Sequence, residues 1–240
     1  MFSISKAVAF IAFVGVALAL GWVALSQATH AEAYDQQYQA RGPIETPAGD
    51  HNWSDSADAL RFADYKGVDG SYQNHVENVV TTIPEELHPA LKGLTFVNGC
   101  HPWSTSKLGK CALGTFDPAG WDTDDSVGHK WSNTIWVSTR AVTTGTTSDV
   151  LIHETGHAFV HNFFDDCHFP GQFEKSVKEI LVTHFAHDQA PPAELLADAF
   201  VVAYRNGEGT KHTYYLDKFN YNVSDDALAA LRAAVWLCSR

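Results

Sequence analysis

The sequence predicts an α+β fold in which a small mixed sheet packs against one central helix and further C-terminal helices. Three short runs rich in apolar and β-branched residues indicate strands: Leu94–Asn98, Cys111–Phe116 and Asn133–Ser138. After Ser148 the apolar residues recur at helical spacing instead. With 240 residues, 45% of them hydrophobic, the chain is long enough for one domain with a substantial core and extensions.

Residues 1–28 are predicted to be a signal peptide or an N-terminal membrane anchor. Lys6 supplies a positive charge, and residues 7–25 follow without any charged side chain. This run exceeds the usual apolar signal core of roughly 7–15 residues and approaches the roughly 20 residues that span a bilayer. In both cases the rest of the chain is expected to be exported, either secreted or anchored to the outer face of the membrane by residues 7–25.

Residues 29–66 are weakly patterned and contain several glycines and prolines, which is typical of a linker. A pro-segment is the alternative, and a short helix is expected over Ser56–Tyr65. Residues 67–240 are predicted to form the folded domain that carries the motifs described below.

The first half of this domain is predicted to contain two helices followed by the three strands. One helix is expected over Ser71–Thr82. A second begins at Pro84, where proline suits the first turn, and ends at Gly93. The acidic run Asp122–Asp125 lacks the ligand spacing of a calcium loop, so a solvated turn is the favoured interpretation.

The second half is predicted to be helical. One helix covers Ser148–Phe164, with Ser148 or Asp149 as its cap. A further helix runs over Pro191–Arg205, and the last begins at Ser224. Between these, five residues at helical spacing indicate one apolar helix face: Phe173, Val177, Ile180, Leu181 and His184.

The net charge of −12 argues against a nucleic-acid partner, which would require a basic face. Contact with a membrane is expected only through the N-terminal apolar segment, and the oligomeric state is left open. The four cysteines agree with export and form no C-x-x-C pair, so disulfides are expected rather than a cysteine metal site. Three pairings are open among Cys100, Cys111, Cys167 and Cys238.

The central motif is His-Glu-x-x-His at His153, Glu154 and His157. On a helix the two histidines share one face, so both imidazoles can bind one cation, with the glutamate beside any water that it holds. This is the metalloprotease helix signature, in which the histidines bind zinc and the glutamate is the general base. The alternative is a buried helix with backbone-bonded histidines, which we disfavour because a buried Glu154 would lack a partner.

A catalytic zinc site needs a third protein ligand. Phe163 and Val160 occupy the positions where a metzincin would carry its third histidine and a glycine. Glu194, in the first turn of its helix, is the best candidate, with Asp198 one turn later as hydrogen-bond partner of a ligand histidine. His161 and His168 are the competing candidates for the third ligand.

These two motifs, His153–His157 and Glu194–Phe200, resemble the gluzincin metallopeptidases, and most of all the compact branch with the anthrax lethal factor catalytic domain and the Pro-Pro endopeptidases. The resemblance implies a zincin-like fold with Zn²⁺ bound by His153, His157 and Glu194. It also implies that Glu154 is the base and that Asp198 is the hydrogen-bond partner of a ligand histidine. A peptide substrate would pair along the edge of the strand Asn133–Ser138.

The chain departs from that branch in one respect. A tyrosine that stabilises the oxyanion shortly before the third ligand is missing, and histidines stand in that stretch. His184 is the candidate substitute, and three tyrosines are open alternatives: Tyr204, Tyr214 and Tyr215.

The function expected from the sequence is an exported zinc-dependent metalloendopeptidase that hydrolyses peptide bonds with a metal-activated water and Glu154 as general base. The alternatives are a non-catalytic exported module with a structural or vestigial zinc site, and a zinc hydrolase of a non-peptide amide bond. A fourth protein ligand would favour the non-catalytic module, and His161 is the residue to inspect for it.

Overall fold

The computed structural model describes residues 68–120, 132–206 and 211–240. The predicted N-terminal segment, linker and Ser56–Tyr65 helix lie outside these residues, as does the acidic run Asp122–Asp125. Within the described ranges, none of the helices combines the length and apolar character that crossing a bilayer requires.

The described part of the chain is mixed helix and sheet, which confirms the α+β prediction. It contains nine α-helices, together with a 3₁₀ helix at Glu85–Leu87 and a π-helix at Val160–Phe164. The α-helices are α1 (Gln73–Val80), α2 (His88–Leu91), α3 (Pro102–Leu108), α4 (Thr139–Thr143), α5 (Thr147–Phe159), α6 (Val177–His184), α7 (Pro192–Tyr204), α8 (Tyr214–Lys218) and α9 (Asp225–Cys238).

Three four-residue strands form one mixed sheet in the order β1–β3–β2. They are β1 (Thr95–Asn98), β2 (Gly114–Asp117) and β3 (Thr134–Val137). β3 pairs with β1 in parallel and with β2 antiparallel, with Ile135 opposite both Phe96 and Phe116.

The sheet order corrects one expectation. The strand predicted at Asn133–Ser138 is the centre of the sheet rather than an edge, because β1 and β2 occupy its two sides. Of the two edges, that of β1 is covered by Gln73, whose amide donates to the Phe96 carbonyl and accepts from the Asn98 N–H, each at 2.8–2.9 Å. β2 forms the other edge, and there the Phe116 N–H donates to the Glu154 carboxylate.

Several predicted boundaries shift. The α5 helix begins at Thr147, so Ser148 and Asp149 lie inside it and neither is its cap. The predicted apolar face of α6 is wrong at both ends. Phe173 is 79% exposed and precedes the helix, which starts at a Ser176–Glu179 capping box, and His184 is exposed at the helix end.

The two helices that carry the motifs, α5 and α7, pack against each other through the core. Gly156 allows this approach, because a Cβ atom there would lie 2.8 Å from Cδ2 of Phe200, a fully buried side chain. Real Cβ atoms essentially never come so close, so a larger residue would push the two helices apart.

Two disulfides stabilise the described chain, Cys100–Cys111 and Cys167–Cys238. The first links the segment after β1 to the segment before β2. The second joins the end of α9 to the loop after the π-helix, with 71 residues of sequence separation. The chain-entropy model assigns the larger stabilisation to the longer loop, about 4 kcal/mol against about 3 kcal/mol.

Replacing Gly156 with alanine tests the helix contact. Alanine has a helix propensity about 1 kcal/mol more favourable than glycine, so propensity alone predicts a more stable protein. We expect the opposite, a loss of roughly 1–3 kcal/mol in unfolding free energy from overpacking against Phe200. Denaturant unfolding measures this change. Adding Phe200→Leu to Gly156→Ala should recover part of the loss, and strict additivity of the two changes would contradict the contact.

A second prediction concerns the disulfides. The Cys167→Ala/Cys238→Ala variant should lose roughly 2–4 kcal/mol of unfolding free energy. The Cys100→Ala/Cys111→Ala variant is the matched control and should lose about 1 kcal/mol less, because its loop is shorter. Thermal and denaturant unfolding of the two variants compares them, and the reverse order would refute this account.

Candidate metal centre

Three side chains from two helices converge on one point. His153 and His157 lie one turn apart on α5, and Glu194 lies in the first turn of α7. The two Nε2 atoms are 3.2 Å apart, and Oε2 of Glu194 lies 3.2 Å from that of His153 and 3.4 Å from that of His157. Within the described ranges, this is the only group of three or more His, Cys, Asp or Glu whose donor atoms meet this closely.

The spacing of these donors fits a tetrahedral zinc ion. Zinc–nitrogen and zinc–oxygen bonds of about 2.0–2.1 Å place two donors of a tetrahedron roughly 3.3–3.4 Å apart. The three observed separations fall within about 0.2 Å of that value. Two imidazoles and one carboxylate are also the ligand set of a catalytic zinc site, which leaves the fourth position to water or substrate.

His161 and His168 do not join the group. Both are exposed, and Nδ1 of His161 pairs with Oδ1 of Asn162 while Nδ1 of His168 bonds the Lys175 carbonyl. The described donor set thus has three members and contains no fourth ligand of the kind that the non-catalytic alternative requires.

The electrostatics of the cluster reflect crowded carboxylates around two imidazoles. Burial alone would lower the pKa of His153, but its hydrogen bonds to Asp198 and Glu194 and the nearby carboxylate charges raise that pKa well above its usual value. Burial alone would raise the pKa of Glu194, but His157 and His153 bring it below its usual range. The site therefore strongly favours a positive charge between these groups.

Asp198 connects the metal cluster to the segment that follows α7. One carboxylate oxygen lies 2.7 Å from Nδ1 of His153, which directs Nε2 of the same ring toward the cluster. The other oxygen accepts the N–H groups of Tyr215 and Leu216 at 2.6 and 3.0 Å. Asp198 is 1% exposed, so one buried carboxylate both orients a ligand and anchors the start of α8.

Tyr215 lies beside the candidate metal-binding group of His153, His157 and Glu194. Its ring stacks on that of His153, with centroids 6.1 Å apart and planes 17° from parallel. Tyr214 is 46% exposed and meets Tyr215 edge-on. Tyr204 instead lies at the far end of α7, where burial raises its pKa to about 12. His184 is exposed, and the hydrogen bond described for it runs from Tyr221 Oη to its backbone carbonyl.

The structure does not bring His184 to the cluster by any described contact, so its catalytic role stays a prediction. The sequence makes His184 a candidate beside the three tyrosines because its spacing puts it on an apolar helix face. The Ser176-x-x-Glu179 capping box was the overlooked signal, since it starts the helix later and leaves His184 in the last turn.

Asp149 was overlooked as a buried anchor between the two ligand helices. Oδ1 of its carboxylate lies 2.6 Å from Nε of Arg205, the residue directly after α7, and Oδ2 accepts the N–H of His212 at 2.8 Å. Asp149 thus links the start of α5 to the end of α7, while Asp198 and His153 link the middles of the two helices. Both aspartates also accept backbone N–H groups of the segment that carries Tyr215.

Glu154 is 6% exposed and points toward β2. Oε2 accepts the N–H of Phe116 at 2.8 Å, so the buried carboxylate does have a partner, contrary to our argument against the backbone-bonded alternative. Burial raises the pKa of Glu154, in opposition to the charges of the two histidines and to the Phe116 amide. A buried carboxylate with a raised pKa beside two histidines is the kind of group that can act in proton transfer.

No family model, curated protein or solved structure matches this chain. The gluzincin resemblance therefore depends on the two motifs and on the geometry of the residues that they supply.

Replacing Asp198 with asparagine should lower zinc affinity by about 10–100-fold. An amide cannot accept hydrogen bonds at both ends, so either the Tyr215 and Leu216 N–H groups or His153 loses its acceptor. Competition with a chromophoric chelator measures the affinity. Asp217→Asn, an exposed acid in α8, is the charge-matched control and should bind zinc as the wild type does. Equal affinity in both variants would show that Asp198 has no part in metal binding.

Proposed function

We propose that this protein is a zinc-dependent metalloendopeptidase of gluzincin type, with a zincin-like fold, in which His153, His157 and Glu194 hold the metal. The observation that carries the proposal is the meeting of these three donors at separations of 3.2–3.4 Å, with the buried carboxylate of Glu154 next to them. An open set of three ligands with an adjacent base favours catalysis over a structural role.

A zinc ion bound there would polarise the scissile carbonyl and activate water. Glu154 is placed to take the proton of the attacking water and to deliver it to the leaving amine. Asp198 would keep the proton of His153 on Nδ1, so that the unprotonated Nε2 can bind the metal through its lone pair. Tyr215, stacked on His153, is the favoured candidate among the tyrosines for contacting the developing oxyanion.

A peptide substrate would pair with β2 rather than with the strand predicted from sequence. β2 is the edge strand beside α5, and the amide of Phe116 at that edge already reaches Glu154. An extended peptide joined to this edge would therefore pass close to the base and the metal. This geometry favours a peptide bond over a non-peptide amide as the substrate.

We also propose that the protein acts outside the cytoplasm. Its two disulfides support this location, because such bonds persist in oxidising compartments.

The Glu154→Gln variant tests the mechanism. It should keep one zinc per chain and the fold, but lose peptide cleavage by about 10²–10⁴-fold, because an amide cannot accept the proton. Elemental analysis and mass spectrometry of a peptide library measure the two properties. Glu174→Gln changes the same charge at an exposed position and should cleave as the wild type does.

Two outcomes would overturn the proposal. Full cleavage by Glu154→Gln would remove Glu154 from the mechanism. Zinc binding by the wild type with no cleavage of any library peptide would favour a non-catalytic module or a non-peptide amide as substrate.

A further inference from the structure

The carboxylate of Glu154 lies against β2, where one of its oxygens is hydrogen-bonded and the other lies over Gly114. Oε2 accepts the N–H of Phe116 at 2.8 Å. On the other side, a Cβ atom added to Gly114 would lie 2.6 Å from Oε1 and 2.9 Å from Cγ of Glu154. The space that Gly114 leaves vacant is therefore the space in which this carboxylate lies.

Gly114 is needed here for space rather than for backbone conformation. Its φ angle lies outside the left-handed region that only glycine adopts readily, and it sits within the regular pairing of β2, opposite Val137. Glycine weakens a strand interior, and in such a position it often marks a close approach by another group. Here the approaching groups belong to α5, namely Glu154 and Val150.

We propose that Gly114 is a positioning residue for the general base: its missing side chain lets Glu154 reach the Phe116 amide and hold one oxygen beside the metal ligands. The proposal extends the function proposed above, since it assigns Glu154 its place in that reaction. The three atoms nearest to an added Cβ at position 114 belong to Val150 and Glu154, and none of them belongs to His153, His157 or Glu194.

Hydrogen exchange of single backbone amides tests the position of Glu154 without any activity. The Phe116 amide bonds the carboxylate, so its exchange in the metal-free protein should be at least tenfold faster in Gly114→Ala. Glu154→Ala, which removes the acceptor, should show the same increase. The amide of Thr115 faces β3 by the alternation of the strand and serves as internal control with unchanged exchange. Wild-type exchange at Phe116 in Gly114→Ala would overturn the proposal.

Kinetics test the consequence for catalysis, with an internally quenched peptide taken from the cleaved library sequences. Gly114→Ala should keep one zinc per chain and a KM within about threefold of the wild type, while kcat falls by about 10²-fold or more, the range expected for a misplaced base. A change confined to KM, or loss of zinc, would show that Gly114 acts on substrate or metal instead.

A double variant separates positioning from packing. Glu154→Asp shortens the acid by one methylene and makes room for the added Cβ atom. It should therefore lower kcat much less in the Gly114→Ala background than in the wild type, with a difference of at least tenfold. Multiplicative losses would mean that the two residues act independently, and the proposal would fail.

A further variant controls for a packing defect in Gly114→Ala. Such a defect is expected because the added Cβ atom would also lie 2.5 Å from Cγ1 of Val150. If Gly114→Ala does not fold, Gly114→Ala/Val150→Ala removes that contact and keeps the one with Glu154. This variant should recover stability but not kcat, and recovery of both would overturn the proposal. If the wild type cleaves no peptide, the proposed function fails, while faster exchange at Phe116 would still place Glu154 against Gly114.

Discussion

The close contact between α5 and α7 is the constraint on which the site depends. Neither helix alone holds a cation: α5 supplies two imidazoles and α7 supplies one carboxylate, and they meet only because the helices pack without a side chain at Gly156. Asp149 forms an ion pair with Arg205 at one end of this contact, and Asp198 pairs with His153 at the middle of both helices. Because buried ion pairs tolerate little change in distance, they fix the register of the two helices.

The charge of the site would suit a bound cation. Three largely buried carboxylates, Glu154, Glu194 and Asp198, surround two imidazoles. Burying carboxylates is costly unless positive charge compensates for them. Burial lowers the pKa of His153, but its hydrogen bonds to Asp198 and Glu194 and the nearby carboxylate charges raise that pKa well above its usual value. A divalent cation bound there would compensate these charges and contact all three donors at once, which would couple folding of the site to metal binding.

The sheet contributes through its edge. β2 faces α5, binds Glu154 through Phe116, and leaves space for the carboxylate at Gly114. The other edge, on β1, is covered by the Gln73 amide. Side-chain hydrogen bonds at the edge backbone limit uncontrolled strand pairing. The sheet of three short strands thus both supports the core and positions Glu154, the proposed general base.

The sequence alone determined the features that depend on local periodicity and residue chemistry. The i, i+4 spacing of His153 and His157 places both rings on one helix face, whatever the rest of the fold. The same reasoning located α5, α7 and α9 to within a few residues, and it selected Glu194 because two imidazoles require a further ligand. Export, zinc and peptidase activity remain predictions from the same patterns.

Only the tertiary structure decided which strand lies at the edge, which cysteines pair, and what approaches Gly114 and Gly156. It also revealed Asp149 as an anchor and brought Tyr215, rather than His184, beside His153. These features join residues far apart in the chain, and their partners are set by packing in three dimensions. Local spacing contains no information on such partners, because a strand looks the same in sequence at the centre of a sheet and at its edge.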